Sequence, residues 1–222
     1  MTHDLLIKPV AYYQGSFGSK FGIPRQSGLV PALEGRIVFT RTYSVQEALR
    51  GLEGFERLWL IWGFSANQGA KGEWQPTVRP PRLGGNTAVG VWATRSPFRP
   101  NPLGLSCVEL LSVDGRDLLV KGADLMDGTP IYDIKPYLPY ADAFPSARSG
   151  FVSGAPEARL QVVIPEDLPL DERQRETLRE VLALDPRPAY QDSPDKVYGM
   201  IFEQKDVRFS VKDGVLTIIS IA

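Results

Sequence analysis

The stretch Ser106-Cys-Val-Glu-Leu-Leu-Ser-Val-Asp-Gly-Arg-Asp-Leu-Leu-Val-Lys-Gly-Ala123 decides the fold class. It holds two short apolar runs, Ser106–Val113 and Leu118–Ala123, on either side of an Asp-Gly turn. Short apolar runs bounded by Gly, Pro, Asp or Asn are strands, whereas helices need longer periodic stretches. The same pattern extends outward to Leu5–Val10, Arg36–Phe39, Leu58–Phe64 and Val89–Ala93. Residues 1–150 are therefore expected to be mainly β, an antiparallel barrel or sandwich. One helix should interrupt them, with Ser44 capping Val45–Leu52 and Glu47 completing a capping box. No strand-helix-strand alternation recurs and no Gly-x-Gly-x-x-Gly follows a strand, so a Rossmann-type nucleotide site is not expected.

Composition changes after Asp142. Ala143–Pro156 is rich in Ala, Ser, Gly and Pro and reads as a connector. A strand at Arg159–Ile164 follows, then a charged helix that begins at Asp171 and carries Leu178, Val181, Leu182 and Leu184 at near-helical spacing. Asp185-Pro-Arg-Pro stops it. Three strands close the chain, Val197–Phe202, Val207–Val211 and Val215–Ile221, with Lys212-Asp213-Gly214 as a hairpin turn. The organisation expected is a β domain over 1–150 and a small α+β domain over 151–222.

The 222 residues are 43% hydrophobic and 23% charged, ordinary values for a soluble globular protein. No apolar run is long enough to span a membrane, and the N-terminus lacks the pattern of a signal peptide. The single cysteine, Cys107, suits a reducing cytoplasm, the expected location. The single histidine, His3, leaves too few ligands for a nitrogen/sulfur zinc site, and no metal is expected. It also leaves no material for a Ser-His-Asp or Cys-His arrangement. Chemistry must come from carboxylates, arginines, backbone groups or a bound cosubstrate. Between Ala70 and Pro102, Lys71, Arg79, Arg82, Arg95 and Arg99 face one acid, Glu73, and are interleaved with Trp74, Trp92 and Phe98. That mixture suits a phosphate-rich partner; a solvated basic face is the competing reading.

Three segments are too rich in backbone-defining residues to be explained by folding alone. They are Gly22-Ile-Pro-Arg-Gln-Ser-Gly28, the run from Arg79-Pro-Pro-Arg-Leu-Gly-Gly-Asn86 through Ala93–Ser106, and Asp124–Tyr140. Prolines and glycines specify a rigid path on which arginines can meet a carboxylate or phosphate in bidentate fashion. In the third segment Asp124, Asp127 and Asp133 surround a Gly-Thr-Pro turn, where a carboxylate can accept from an ammonium or from ribose hydroxyls. The plainer reading makes Asp127-Gly128 only a turn. Lys135 stands where a cation can reach a phosphate.

The runs RPPRLGGN (79–86), ATRSPFRPNPLGLS (93–106), DLMDGTPIYDIKPYLPYAD (124–142) and DPRPAY (185–190) resemble the TrmO family, also called TsaA-like or YaeB-like. The resemblance covers nearly the whole chain. It implies a β-barrel methyltransferase unlike the Rossmann enzymes, acting as a homodimer. The implied reaction moves a methyl group from S-adenosylmethionine to N6 of threonylcarbamoyladenosine (t6A to m6t6A) at position 37 of threonine tRNA. Cosubstrate contacts carry over onto Pro24, Arg25, Gln26, Arg95, Leu105 and the Asp124–Pro130 stretch, that is Asp124, Leu125, Asp127, Gly128, Thr129 and Pro130. A further segment falls either on Ser65 and Ala66 or on Asn67 and Gln68.

The adenine N6 is a poor nucleophile, but a sulfonium is already activated, so aligning the two is the main requirement. Catalysis by proximity is expected, with Asp124, Asp127, Asp133 and Asn101 as candidates for any polar role in the reaction. Asn101-Pro102 reads as a turn first and a base contact second. Arg79, Arg82, Arg99, Lys135 and Arg187 are candidates for tRNA phosphates. Trp74, Phe98, Tyr137 and Tyr140 are candidates for base stacking, with core packing as the competing role. Exposed strand edges offer one reason for two chains to pair. The rival functions are a non-catalytic adapter or sensor holding the same ligand, and a methyltransferase of the same fold with another substrate.

Overall fold

In the strand Leu103–Asp114, Ser106, Val108 and Leu110 are buried while their neighbours are not, the period of two that puts one face on a core. The computed structural model describes residues 5–67, 74–187 and 196–222. Its strands are β1 (Ala11–Gly15), β2 (Glu34–Phe39), β3 (Arg57–Gly63), β4 (Thr77–Val78), β5 (Val89–Gly90), β6 (Leu103–Asp114), β7 (Asp117–Lys121), β8 (Pro130–Pro136), β9 (Gln161–Val163), β10 (Tyr198–Phe202), β11 (Lys205–Lys212) and β12 (Val215–Ile221). Two α-helices join them, α1 (Pro139–Asp142) and α2 (Glu172–Ala183).

Six strands close a barrel in the order β1-β2-β7-β6-β3-β8, and β8 returns antiparallel to β1. Its interior is filled from alternate positions: Ala11 and Tyr13 of β1, Ile37 of β2, Leu58 and Leu60 of β3, Leu118 and Val120 of β7. Closure gives every barrel strand two hydrogen-bonded neighbours, so the barrel has no edge strand. The exposed edges expected to favour pairing of two chains are therefore absent from the barrel. No helix among the described residues is long and apolar enough to cross a membrane.

Three local expectations fail. Of the strand expected at Val89–Ala93 only Val89–Gly90 forms, and Val91–Ala93 is a 3-10 turn. Leu5–Val10 is not a strand: Leu5 and Leu6 are exposed, and pairing begins only at Val10, whose N–H donates to Ile131 O at 2.8 Å. The true strand, β1, was hidden because its outward residues Tyr12 and Gln14 break the apolar run. The helix over Val45–Leu52 is instead two short 3-10 turns, Gln46–Leu49 and Leu52–Gly54. Gly51 between them sits at φ 85°, outside helical space, and Ser44 does not cap.

The C-terminal α+β unit is a sheet in the order β10-β11-β12-β9, with β9 parallel to β12. Asp171 caps α2 through a capping box with Gln174, and Leu178, Val181 and Leu182 are buried against the sheet. Asp213 and Gly214 both adopt positive φ, the twist-matched turn expected of an Asp-Gly hairpin. Into this core also come Phe17, Val30 and Leu33, from the excursion between β1 and β2. Phe17 meets Phe202 edge-on with ring centroids 5.9 Å apart. The C-terminal core thus draws on residues from both sides of position 150.

Tyr13 fills the barrel between two glycines. A Cβ on Gly35 would stand 2.2 Å from the Tyr13 hydroxyl oxygen and 2.4 Å from Cζ. Gly35→Ala is expected to lower stability by about 1–3 kcal/mol, the usual cost of overpacking, read as a fall in the urea midpoint. An unchanged midpoint would show that the ring has room to move.

Candidate active site

The register between β3 and β6 opens one end of the barrel. Trp62 lies opposite Gly104, and a Cβ there would come 2.2 Å from the indole, so only glycine lets the ring lie across β6. Trp62 Nε1 donates to Ser106 Oγ at 2.9 Å, and Ser106 Oγ donates to Asp124 Oδ1 at 2.5 Å. Phe64 closes on the Trp62 ring edge-on at 4.4 Å. Above this chain of hydrogen bonds is a cavity of about 560 Å³, within the range of small-molecule sites.

Four loops wall it. Pro24, Arg25 and Gln26 come from the β1–β2 excursion, and Ser65 and Ala66 from the turn after β3. Thr94, Arg95, Arg99 and Asn101 come from the segment before β6, while Asp124, Met126 and Thr129 come from the β7–β8 connection. Arg95 Nη1 donates to Gln26 Oε1, and Gln26 Nε2 donates to Arg25 O at 2.5 Å, so one loop holds the other's arginine. Burial raises the Asp124 carboxyl above the usual carboxylate range. The Ser106 hydrogen bond, backbone hydrogen bonds at Asp124 and Ser27, and the charge of Arg95 offset only part of that. One carboxylate faces Lys20, Arg25, Arg95 and Arg99 in the same space. Such a donor set suits a ligand that carries a cation, an anion and an apolar or aromatic body.

Two family models match the sequence, the tRNA-methyltransferase O N-terminal domain over residues 12–143 and the TrmO C-terminal domain over 157–222. The chain belongs to the TrmO family. A relative from Escherichia coli K12, a tRNA (adenine(37)-N6)-methyltransferase, is 42% identical over 218 residues, 92% of each chain. One of the same description from Eikenella corrodens is 46% identical over 170 residues, covering 74% of this chain and 95% of its own. A crystal structure of TrmO from Pseudomonas aeruginosa superposes with a TM-score of 0.80 at 32% identity over the whole of both chains.

The residues named from the sequence and from the TrmO resemblance fall into two groups. Pro24, Arg25, Gln26, Ser65, Ala66, Arg95, Leu105, Asp124 and Thr129 all line the cavity, as do Asn101 and Arg99. Leu125, Asp127, Gly128, Pro130 and Asp133 do not. Leu125 is buried in the barrel core. Asp127 Oδ1 accepts from Gly15 N at 3.1 Å, and Gly128 N donates to Tyr13 O, so this turn ties the end of β1. Pro130 begins β8 opposite Tyr12. Asp133 and Lys135 pair with each other at 3.0 Å and sit across from Ile61 and Trp59, on β8 beyond the cavity.

The proposed phosphate ligands are scattered. Arg187 makes a bidentate pair with Asp185, Nε–Oδ1 2.8 Å and Nη2–Oδ2 3.0 Å. Arg82 Nη1 donates to Gly154 O at 2.8 Å, and Arg79 is exposed. Arg99 Nη1 donates to the carbonyls of Thr94 and Ser96, so part of its guanidinium is committed to holding its own loop. Gln68 and Pro188–Tyr190 lie outside the described residues. Tyr140 is exposed, whereas Tyr137 packs on Trp59.

Sequence reasoning missed Lys20, Trp62, Phe64, Leu103 and Met126. The parity of Trp62 with Leu58 and Leu60 marks it as inward-facing, a signal that was present in the strand.

Because the folded state raises the Asp124 carboxyl, the folded chain binds more protons than the unfolded one between the two pKa values. Stability therefore falls as pH rises through that window, and the charged carboxylate is a cost at neutral pH. Asp124→Asn keeps an acceptor for Ser106 and removes the charge. It should raise the melting temperature at pH 7 by about 2–4 °C per kcal/mol relieved. The gain should vanish as pH drops below the usual carboxylate value. Melting scans from pH 4 to 8 check this, and a variant less stable at pH 7 contradicts it.

Proposed function

We propose that this chain transfers a methyl group from S-adenosylmethionine to N6 of adenosine 37 in tRNA. The substrate form is the threonylcarbamoyl-modified base, t6A becoming m6t6A, in threonine tRNA. The observation that carries the reading is the cavity, where a half-buried carboxylate and several cations share one space at the mouth of the barrel. The E. coli relative, alike over 92% of each chain, supports the substrate class. A homodimer working in the cytoplasm and a tRNA-contacting role for the C-terminal domain belong to the same reading.

The donor set fits the cosubstrate. S-adenosylmethionine brings an ammonium and a sulfonium for a carboxylate, a carboxylate for arginines, and an adenine for apolar and aromatic walls. When bound, it supplies an electrophilic methyl group that needs no further activation. Asp124 accepts from or faces the cationic part, and the Trp62–Ser106 relay fixes its carboxylate in orientation. Arg95, steadied by Gln26, offers a guanidinium to an anionic group. Of the candidates for a polar role in the reaction, Asp124 and Asn101 reach the cavity, and Asp127 and Asp133 do not. A dedicated base is not required, because the N6 proton becomes acidic as the methyl arrives and passes to water. Holding the reacting atoms in line accounts for effective molarities on the order of 10⁵–10⁸ M.

Incubation with labelled S-adenosylmethionine and total tRNA tests the whole reading. Label should enter threonine tRNA and should require the threonylcarbamoyl group. Binding without transfer to any RNA favours the adapter or sensor, and transfer to another RNA changes the substrate. Asp124→Asn should weaken cosubstrate affinity about 10- to 150-fold, the worth of a hydrogen bond to a charged group. Asp133→Asn should leave it unchanged. Calorimetric titration separates the two, and equal effects would remove Asp124 from the binding site.

A further inference from the structure

Trp74 and Trp92 stand beside the cavity with their rings stacked, centroids 6.5 Å apart and planes 27° from parallel. Both are exposed, Trp92 by 68% and Trp74 by 48%. Adjacent exposed tryptophans are an unusual surface for a soluble protein unless something binds there. The Arg99 guanidinium lies over the Trp92 ring, 5.5 Å from its centroid, and two backbone carbonyls hold it in place. The platform is therefore assembled before any partner arrives. Arg99 also lines the cavity, together with Thr94 and Arg95 of the same loop, so platform and cavity are continuous.

Charge identifies the partner. From Trp74 to Val108 the sequence contains no Asp or Glu, while Arg79, Arg82, Arg95 and Arg99 all fall within it. An aromatic face inside an acid-free, arginine-bearing stretch matches a flat base on a phosphate backbone. It matches a basic protein surface less well, since no Asp or Glu falls between Trp74 and Val108 to pair with one.

We propose that Trp92, backed by Trp74 and Arg99, is a stacking platform for an unpaired base that flanks the adenosine entering the cavity. This rests on the tRNA reading above. Seating a neighbouring base on the rim keeps the backbone extended at the mouth of the cavity. The target base is thereby presented without its former stacking partner, which lowers the cost of turning it inward.

The test compares Trp92→Ala and Trp92→Phe with the unaltered protein. It uses threonine tRNA, and tRNA made abasic at one or the other neighbour of the target adenosine. The exposed position of Trp92 makes folding of both variants straightforward to verify by melting. Trp92→Ala should weaken tRNA binding about 5- to 150-fold, the range for loss of one stacked base. Affinity for S-adenosylmethionine should not change, and Trp92→Phe should recover most of the loss. On one of the two abasic tRNAs, Trp92→Ala should cost nothing further. Unaltered tRNA affinity in Trp92→Ala overturns the proposal, as does an undiminished loss on both abasic tRNAs. A change of solution mass in Trp92→Ala also overturns it, assigning the surface to contact between copies of the chain. Failure of the unaltered protein to methylate tRNA defeats the reading beneath, whereas the platform stands or falls on the binding measurements.

Discussion

The edge-to-face contact of Phe17 with Phe202 is where the excursion between the barrel strands β1 and β2 is pinned. Between β1 and β2 the chain leaves the barrel, sinks Phe17, Val30 and Leu33 into the C-terminal core, and returns. The residues carried along on that path include Pro24, Arg25 and Gln26, one wall of the cavity. A second, smaller cavity lies behind the same wall, lined also by Arg159, Asp185 and Pro186 of the C-terminal unit. The loop that faces the cavity is thus backed by the C-terminal unit. Glu203 reinforces the joint: it accepts from Arg173 and Gln174, and its own N–H donates to Ser16 O at 2.7 Å. These bonds also offset the left-handed backbone at Glu203 and Gln204, which glycine would otherwise be needed to relieve.

The cavity itself is built on a destabilising element. Asp124 is half-buried, with the Ser106 hydroxyl on Oδ1, backbone hydrogen bonds at Asp124 and Ser27, and an arginine across the space. Surfaces that serve only stability do not keep a carboxylate there, because an apolar or amide side chain would cost less. Barrel closure makes the arrangement tolerable. Ser106 and Trp62 are fixed by the β3–β6 register, so the carboxylate meets a donor that is already oriented.

Much of this was legible in the sequence, for identifiable reasons. Period-two runs such as Ser106–Val113 carry their own burial code, and Asp171 with Gln174 announces the start of α2 in local chemistry. The barrel strand Ala11–Gly15 was not legible, because its outward Tyr12 and Gln14 hide the alternation until its partners are known. The loops Pro24–Gln26 and Thr94–Arg99 stood out by their prolines and arginines, and they do converge. The three aspartates could not be told apart from spacing. Asp124 enters the cavity, Asp127 is taken by Gly15 more than a hundred residues away, and Asp133 faces Lys135. That division is made by strand register and barrel closure, which are non-local. Arginines misled in a related way: Arg187 and Arg99 already have partners, and sequence does not display partners.

The acid-free stretch from Trp74 to Val108 has a kinetic consequence. A positive rim speeds encounter with a polyanion and makes that encounter sensitive to ionic strength. Methylation of a base leaves every phosphate charge in place, so the rim attracts product as strongly as substrate. Electrostatics can therefore serve capture but not release. Turnover has to depend instead on short-range fit, which one added methyl group does change.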